Sequence, residues 1–355
     1  MTKYLVTGGT GFLGKHLIDR LVANNNTVRI FDSRPLKEGI EQWKNEVEFI
    51  QGDIRNQSAV AEAVKGMDGV FHLAAIPSIA QANRNTYNEI NVDGTRNVLK
   101  TAKKFGVKKA LHVSSSTVYG IPRNYPLIEE DNLNPIGHYG SSKIDAECIA
   151  IELTNSNFHV NIIRPRVIMG PGRIGIFGIL FSRIIENKRI YLVGNGENYF
   201  QFTNVDDMVD ACIRAIDYNG SEIFNIGAEK MGTVKEDLTK LIIHANSSSV
   251  LTPLPAKLVQ FAMRATGLLG IAPLENEQFL IANKNFKLNT KKAQNLLNWI
   301  PKKSNFETIL EAFEWYYKNV NTIKNQYKSI IGILGQFRHS QQGGFQSSST
   351  NTKVK

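Results

Sequence analysis

Cysteine is nearly absent, with two in 355 residues, Cys148 and Cys212, each set in a helix-like apolar pattern. Two buried thiols in a reducing compartment are therefore expected, because a core of this size needs no disulfide or metal staple. The seven histidines and two cysteines show no metal-ligand spacing, so no metal site is expected. No segment approaches the ~18 uninterrupted apolar residues of a membrane-crossing helix. The amino terminus, MTKYLVTGG, enters a strand at once and leaves no room for a signal peptide, so the expected location is cytoplasmic. Clusters of aromatic and basic residues are also missing, which argues against a nucleic-acid partner.

Charge is present but uneven. The net charge is +10, of which Lys328, Arg338, Lys353 and Lys355 supply +4 without a neighbouring acid, leaving +6 for the rest. A mild excess of this kind suits anionic small molecules or plain solubility.

Short β-branched runs alternate with amphipathic stretches through the first half. Strands are predicted at 4–8, 28–32, 48–53, 70–75, 110–115 and 160–165, and helices at 12–23, 56–66, 88–105 and 139–154. Alternation of nearly all-apolar strands with helices predicts an α/β fold, a Rossmann-type doubly wound parallel sheet covered on both faces. After RPRVIMGPG the rhythm changes, which places a boundary near residue 170. Residues 1–170, with return segments near 200–227, form the expected nucleotide-binding domain. Residues 171–320 form a smaller, mostly helical C-terminal substrate lobe. The apolar stretch 253–274 is expected to pack on the sheet lobe or a second subunit, or to cover an apolar pocket. From 328 to 355 the composition predicts a disordered tail. Within it, 329–338 has an apolar helical face suited to packing on its own domain or touching a membrane surface.

Chemistry enters at VTGGTGFLG, where Gly8, Gly11 and Gly14 stand between the first strand and the first helix. Glycines there make a tight turn and let a pyrophosphate approach free N–H groups at a helix amino terminus. Asp32 follows at the end of the second strand. A carboxylate at that place accepts hydrogen bonds from the adenosine ribose and repels a 2′-phosphate, so the expected cofactor is NAD.

With these motifs the chain resembles the extended short-chain dehydrogenase/reductases, the NAD-dependent epimerase/dehydratase family, over residues 3–318. The resemblance rests on TGGTGFLG, GDIR (52–55), HLAA (72–75), NVDGT (91–95), SSSTVYG (114–120), YGSSK (139–143), RPRVIMGPG (164–172), FTNVDDMVDA (202–211) and KLNTKKAQNLLNWIPK (287–302). It implies that Ser115, Tyr139 and Lys143 are catalytic. It implies cofactor contacts from Gly8, Gly11, Phe12, Leu13, Gly14, Asp32, Asp53, Ile54, Leu73, Ala74, Ala75, Ser114, Tyr139, Lys143 and Pro165. Ser116, Arg166 and Asn91 are implied substrate contacts, and a homodimer through 88–105 and 138–154 is implied as well. Tyr139 and Lys143 are four apart and share a helix face. A free tyrosine titrates near ~10, and lowering it by roughly 3 units takes about 4 kcal/mol, which a close ammonium in a dry pocket can supply. The acids Asp206 and Asp207 open a helix and are read as structural, and His72 and His112 as core or shell residues.

The resemblance implies an epimerase or dehydratase acting on a nucleotide-diphosphate sugar by hydride transfer. Relatives of that kind carry an Asn and an Arg on the diphosphate where this chain has Val167 and Phe200. The alternative is therefore an NAD-dependent dehydrogenase of an apolar alcohol, like the 3β-hydroxysteroid dehydrogenases. Arg166, Arg173, Arg183 and Arg189 near the lobe junction favour an anionic ligand instead.

Overall fold

The structure, a computed structural model, describes residues 1–35, 43, 46–80, 82–173, 175, 177–257, 259 and 280–342, with side chains as far as Ile323. Seven parallel strands form the central sheet: β1 (Lys3–Thr7), β2 (Thr27–Asp32), β3 (Val47–Gln51), β4 (Gly69–His72), β5 (Lys109–Val113), β6 (His159–Pro165) and, returning late, β10 (Ile223–Ile226). Their order is β3-β2-β1-β4-β5-β6-β10. The chain reverses direction between β1 and β4, which opens a crevice at the carboxyl ends of these two strands.

Successive side chains along each strand serve opposite faces. Tyr4 and Val6 pack beneath α1 (Phe12–Ala23) and α7 (Val205–Asp217), in a core that also takes Leu17, Leu21, Met208, Cys212 and Trp299. Leu5, Phe31 and Val70 pack on the other face with Val60 of α2 (Gln57–Val64) and with Val98 and Leu99 of α4 (Gly94–Lys104). Strands covered on both faces are mostly apolar, hence runs such as YLV and VFH. Helix α3 (Arg84–Tyr87) runs through a π-helical segment (Asn88–Asp93) into α4.

The second lobe has its own core, built by α6 (Phe177–Ile185), β8 (Ile190–Val193), α8 (Val234–His244), β11 (Leu251–Leu254) and the start of α10 (Asn305–Gln342). Strands β7 (Val167–Met169) and β9 (Phe202–Asn204) pair at the junction. Between them and α10, helix α9 (Lys291–Leu297) packs back against the first lobe. Asp207 accepts from the amides of Lys302 and Lys303, at 3.0 Å each, and so ties the later chain to α7. The backbone is helical to Gln342, beyond residue 328 where composition predicts disorder. Residues 343–355 and most of 253–274 lie outside the described residues.

Helix α5 (His138–Leu153) lies against β5 and β6 and is fixed there by charge. Glu147 and Arg164 form a two-pronged ion pair, 2.7 Å at its shortest, with both side chains 3% exposed. Arg164 further donates to Tyr119 Oη and the Glu129 carbonyl, at 2.9 and 3.0 Å. Of the two cysteines, only Cys212 is buried. Cys148 is exposed, a departure from the sequence expectation, because Glu147 beside it takes the inward face of α5. Removing one partner of a buried pair strands the other, so Glu147→Ala is expected to lower stability by about 3–5 kcal/mol in denaturant unfolding. A loss under about 1 kcal/mol would contradict the anchoring role.

Candidate active site

The turn after β1 is shaped by close approach. Gly8 sits at φ +71°, and a Cβ there would lie 2.8 Å from the Ala74 backbone. Gly14 leaves room for the Gly8 carbonyl, which a Cβ would meet at 2.6 Å. Helix α1 opens at Phe12 and Leu13 after Gly11, with no side chain capping it, so its first N–H groups stay available to an anion. Asp32 lies across this turn, 6% exposed. One carboxylate oxygen accepts from the Thr10 amide (3.1 Å) and hydroxyl (2.7 Å), and the other accepts from the Arg34 amide (3.0 Å). Thr10 was not singled out in the sequence, since only the folded turn carries it to Asp32. The narrow glycine cradle, uncapped helix and preset carboxylate fit the pyrophosphate and ribose of a dinucleotide.

Asp53 is paired with Arg55 at 2.7 Å, which holds its carboxyl below the ordinary value, and Ile54 packs beneath it against Gly94. Leu73, Ala74 and Ala75 leave β4 along the crevice, with the Leu73 amide still donating to Thr7 O at 3.2 Å. The carbonyl of Asn91 accepts from the Ile76 amide (2.8 Å), and its NH2 donates to Ile76 O and to Ser142 Oγ (3.0 Å). It thus clamps the loop after Ala75 to α5. His72 joins Thr7 Oγ1 (2.8 Å) to Thr95 Oγ1 (2.9 Å). Because Thr95 donates onward to Asn91 O, His72 must be protonated on Nε2.

Tyr139 and Lys143 share the inward face of α5. The Tyr139 ring is half-buried, tilted against Tyr87 at 5.9 Å between centroids. Lys143 is 2% exposed, and its ammonium donates to Val113 O at the end of β5 (2.8 Å) and lies 3.4 Å from His112 Nε2. Burial pushes Lys143 down to about 8, against the opposing pull of Glu147. Two residues past Val113, Ser115 caps the 3-10 turn Ser116–Tyr119, and its Oγ accepts from the Thr117 amide at 3.2 Å. That turn meets the start of α5 closely, since a Cβ on Gly140 would lie 3.0 Å from Thr117 O. The neighbouring Ser114 spends its hydroxyl on Glu147. His112, read as a core or shell residue, also faces the Lys143 ammonium, because α5 packs on the sheet face that carries it, and that helix–strand contact is not visible in sequence.

At the carboxyl end of β6, Pro165 is buried against β10, and Arg166 is 3% exposed. Its guanidinium lies under the rings of Phe200 and Phe286, with centroids at 4.4 and 3.9 Å, and Nη1 is 3.5 Å from Ser116 Oγ. Among the described residues Nε and Nη2 have no partner, and burial pushes the group down to about 9. Arg173 lies over the Phe12 ring at the mouth of the glycine turn and is electrostatically coupled to Tyr139. Arg183 is placed away from the site, donating to the Arg189 carbonyl at 2.7 Å. Among the described residues no group of acids, histidines and cysteines is arranged to hold a metal, and no helix is long and apolar enough to cross a membrane.

Comparison with known proteins places this site among relatives. The model of the NAD dependent epimerase/dehydratase family matches residues 4–227. The uncharacterized protein y4nG of Sinorhizobium fredii is 34% identical over 336 residues, covering 94% of this chain and 82% of its own. A sterol-4-alpha-carboxylate 3-dehydrogenase (decarboxylating) of Mus musculus is 32% identical over 221 residues, 61% of this chain and 59% of its own. Among solved structures, a UDP-glucose 4-epimerase of Thermotoga maritima with UDP-glucose superposes with a TM-score of 0.74 at 26% identity, covering 90% of this chain and all of the other.

Two outcomes are expected. Asp32→Ala should shift the ratio of NAD to NADP affinity by about tenfold toward NADP, read by fluorescence titration; an unchanged ratio would mean that another group reads the ribose. Lys143 has a folded value below its unfolded one, so it costs stability below pH 8, and that cost fades as pH rises toward 10.5. The stability of Lys143→Met relative to wild type should therefore fall by about 2 kcal/mol between pH 7 and 9.5 in urea unfolding. A difference that stays flat with pH would mean that the ammonium is solvated.

Proposed function

The chain belongs to the NAD-dependent epimerase/dehydratase family, and from that premise we propose that it is an epimerase or dehydratase acting on a nucleotide-diphosphate sugar. The observation that carries the reading is the placement of Lys143 on the same helix face as Tyr139, with its ammonium on the carbonyl of Val113, two residues before Ser115. Gly8, Gly11, Phe12, Leu13 and Gly14 hold the pyrophosphate of NAD, Asp32 its ribose, Asp53 and Ile54 the adenine side, and Leu73 to Ala75 the floor of the crevice. Bound NAD supplies the hydride acceptor and donor.

The protein's own share is position and proton management. Tyr139, as its phenolate, takes the proton from the substrate hydroxyl, becoming the phenol, and returns it later. The Lys143 cation favours the phenolate through its charge. Ser115 Oγ donates to the same substrate oxygen and keeps it in line with Tyr139 Oη. Ser114 and Asn91 act at one remove, by holding Glu147 and the 76–78 loop.

A second reading, oxidation of an apolar alcohol, is favoured by Val167 and Phe200 in place of polar diphosphate contacts, and by the likeness to the sterol dehydrogenase. Incubating the protein with NAD and UDP-hexoses separates the two. The proposal expects an altered sugar with no net NADH, whereas stoichiometric NADH would favour the dehydrogenase. The same reading takes the protein to work in the cytoplasm as a homodimer paired through α4 and α5, where Phe105 and Ile151 are exposed. Light scattering at the mass of a single chain would contradict the pairing.

Tyr139→Phe should lower turnover by about 10²–10⁴-fold while NAD still binds. Turnover within a few-fold of wild type would remove Tyr139 from the proton path.

A further inference from the structure

Arg164 and Arg166 stand two residues apart and are treated oppositely by the fold. Arg164 is satisfied on every side, by Glu147, Tyr119 and the Glu129 carbonyl. Arg166 is equally buried and has only a 3.5 Å approach to Ser116 Oγ. An isolated buried guanidinium is costly, and among the described residues no carboxylate pairs with this one, which leaves the counter-charge to a ligand.

The geometry of what is left free is specific. Phe200 and Phe286 cover the guanidinium, so ligands are left its edges. One edge nitrogen, Nη1, faces Ser116. The two atoms without partners, Nε and Nη2, form the opposite side-on edge, where two N–H bonds run parallel. That fork matches the two oxygens of a carboxylate or phosphate and would form two charge-assisted bonds in one plane.

We propose that Arg166 is a specificity-determining residue that takes a carboxylate carried by the substrate beside its reacting carbon. This rests on the proposed function for the position of the reacting end only. Two observations choose a carboxylate over the diphosphate. Ser116 follows Ser115 directly and Nη1 lies 3.5 Å from its Oγ, so the guanidinium lies beside the reacting end of the pocket, with the fork on its far edge. A single buried cation is also neutralised by one negative charge, whereas a diphosphate would bring a surplus of charge into a dry site. The substrate class is then a nucleotide sugar bearing a ring carboxylate, a uronate rather than a neutral hexose.

The test is binding by calorimetry to the full-length, NAD-loaded protein, using two matched pairs: UDP-glucuronate with UDP-glucose, and a steroid carboxylic acid with its primary alcohol. In whichever pair binds, the acid should bind about tenfold or more tightly than the neutral partner. Arg166→Met should erase that preference while leaving NAD affinity unchanged, and Arg166→Lys should restore only part of it. Because Met removes a buried charge at similar volume, the variant is expected to fold, with an unchanged or higher Tm. Acid preference in the steroid pair alone would refute the nucleotide-sugar reading and leave the carboxylate site standing. Equal binding of acid and neutral ligand, or equal losses for UDP-glucuronate, UDP-glucose and UDP in Arg166→Met, would overturn the carboxylate site, and the equal losses would assign the guanidinium to the diphosphate.

Discussion

The ion pair between Glu147 and Arg164 sets the position of α5 on the sheet, and the position of α5 sets the site. Tyr139, Lys143 and Glu147 follow at four-residue intervals along one helix face. Fixing Glu147 to β6 therefore fixes where the Lys143 ammonium ends, at the Val113 carbonyl, and where the Tyr139 ring stands, against Tyr87. Ser114 joins the same pair through its hydroxyl, so the strand end that carries Ser115 is tied to the helix that carries Tyr139. One charge-assisted cluster thus sets two of the three reactive groups and holds the strand next to the third.

Against that neutralised pair, the site keeps two cations that no carboxylate pairs directly among the described residues. Lys143 and Arg166 are both buried, and burial lowers both, to about 8 and about 9. A fold under selection for stability alone would pair or remove them. On the proposed function, Lys143 is accounted for by the phenol and ribose it would serve, and Arg166 by an anion brought in with the substrate. On that reading, an anionic ligand would offset part of the burial cost of both groups.

Much of this was legible in the sequence, for physical reasons. Strands covered on both faces are mostly apolar, which made β1, β2, β4, β5 and β6 visible as short runs, while the edge strand β3 was visible through its valine, phenylalanine and isoleucine. The glycine spacing of residues 8 to 14 reports backbone approach that only glycine permits, and Asp32 answers it from the next strand. Other features depend on neighbours far along the chain. Nothing local in SSS distinguishes Ser114, which holds Glu147, from Ser115, which caps the turn. Asn91 reads as a polar residue available to substrate, yet both its N–H donors and one lone pair of its carbonyl go to Ile76 and Ser142. Cys148 reads as an inward helix residue until Glu147 takes that face. Whether Arg166 had an acid partner could not be read before the lobe junction was seen.

The most direct measurement is chemical. The protein is purified without added cofactor and denatured, and any released nucleotides are identified by chromatography and mass spectrometry. The account predicts NAD near one equivalent per chain, retained because the cofactor is restored within each turnover, with any accompanying sugar nucleotide naming the substrate. A protein that emerges empty and exchanges NAD freely would contradict it, and would place the chain with dehydrogenases that release reduced cofactor after each cycle.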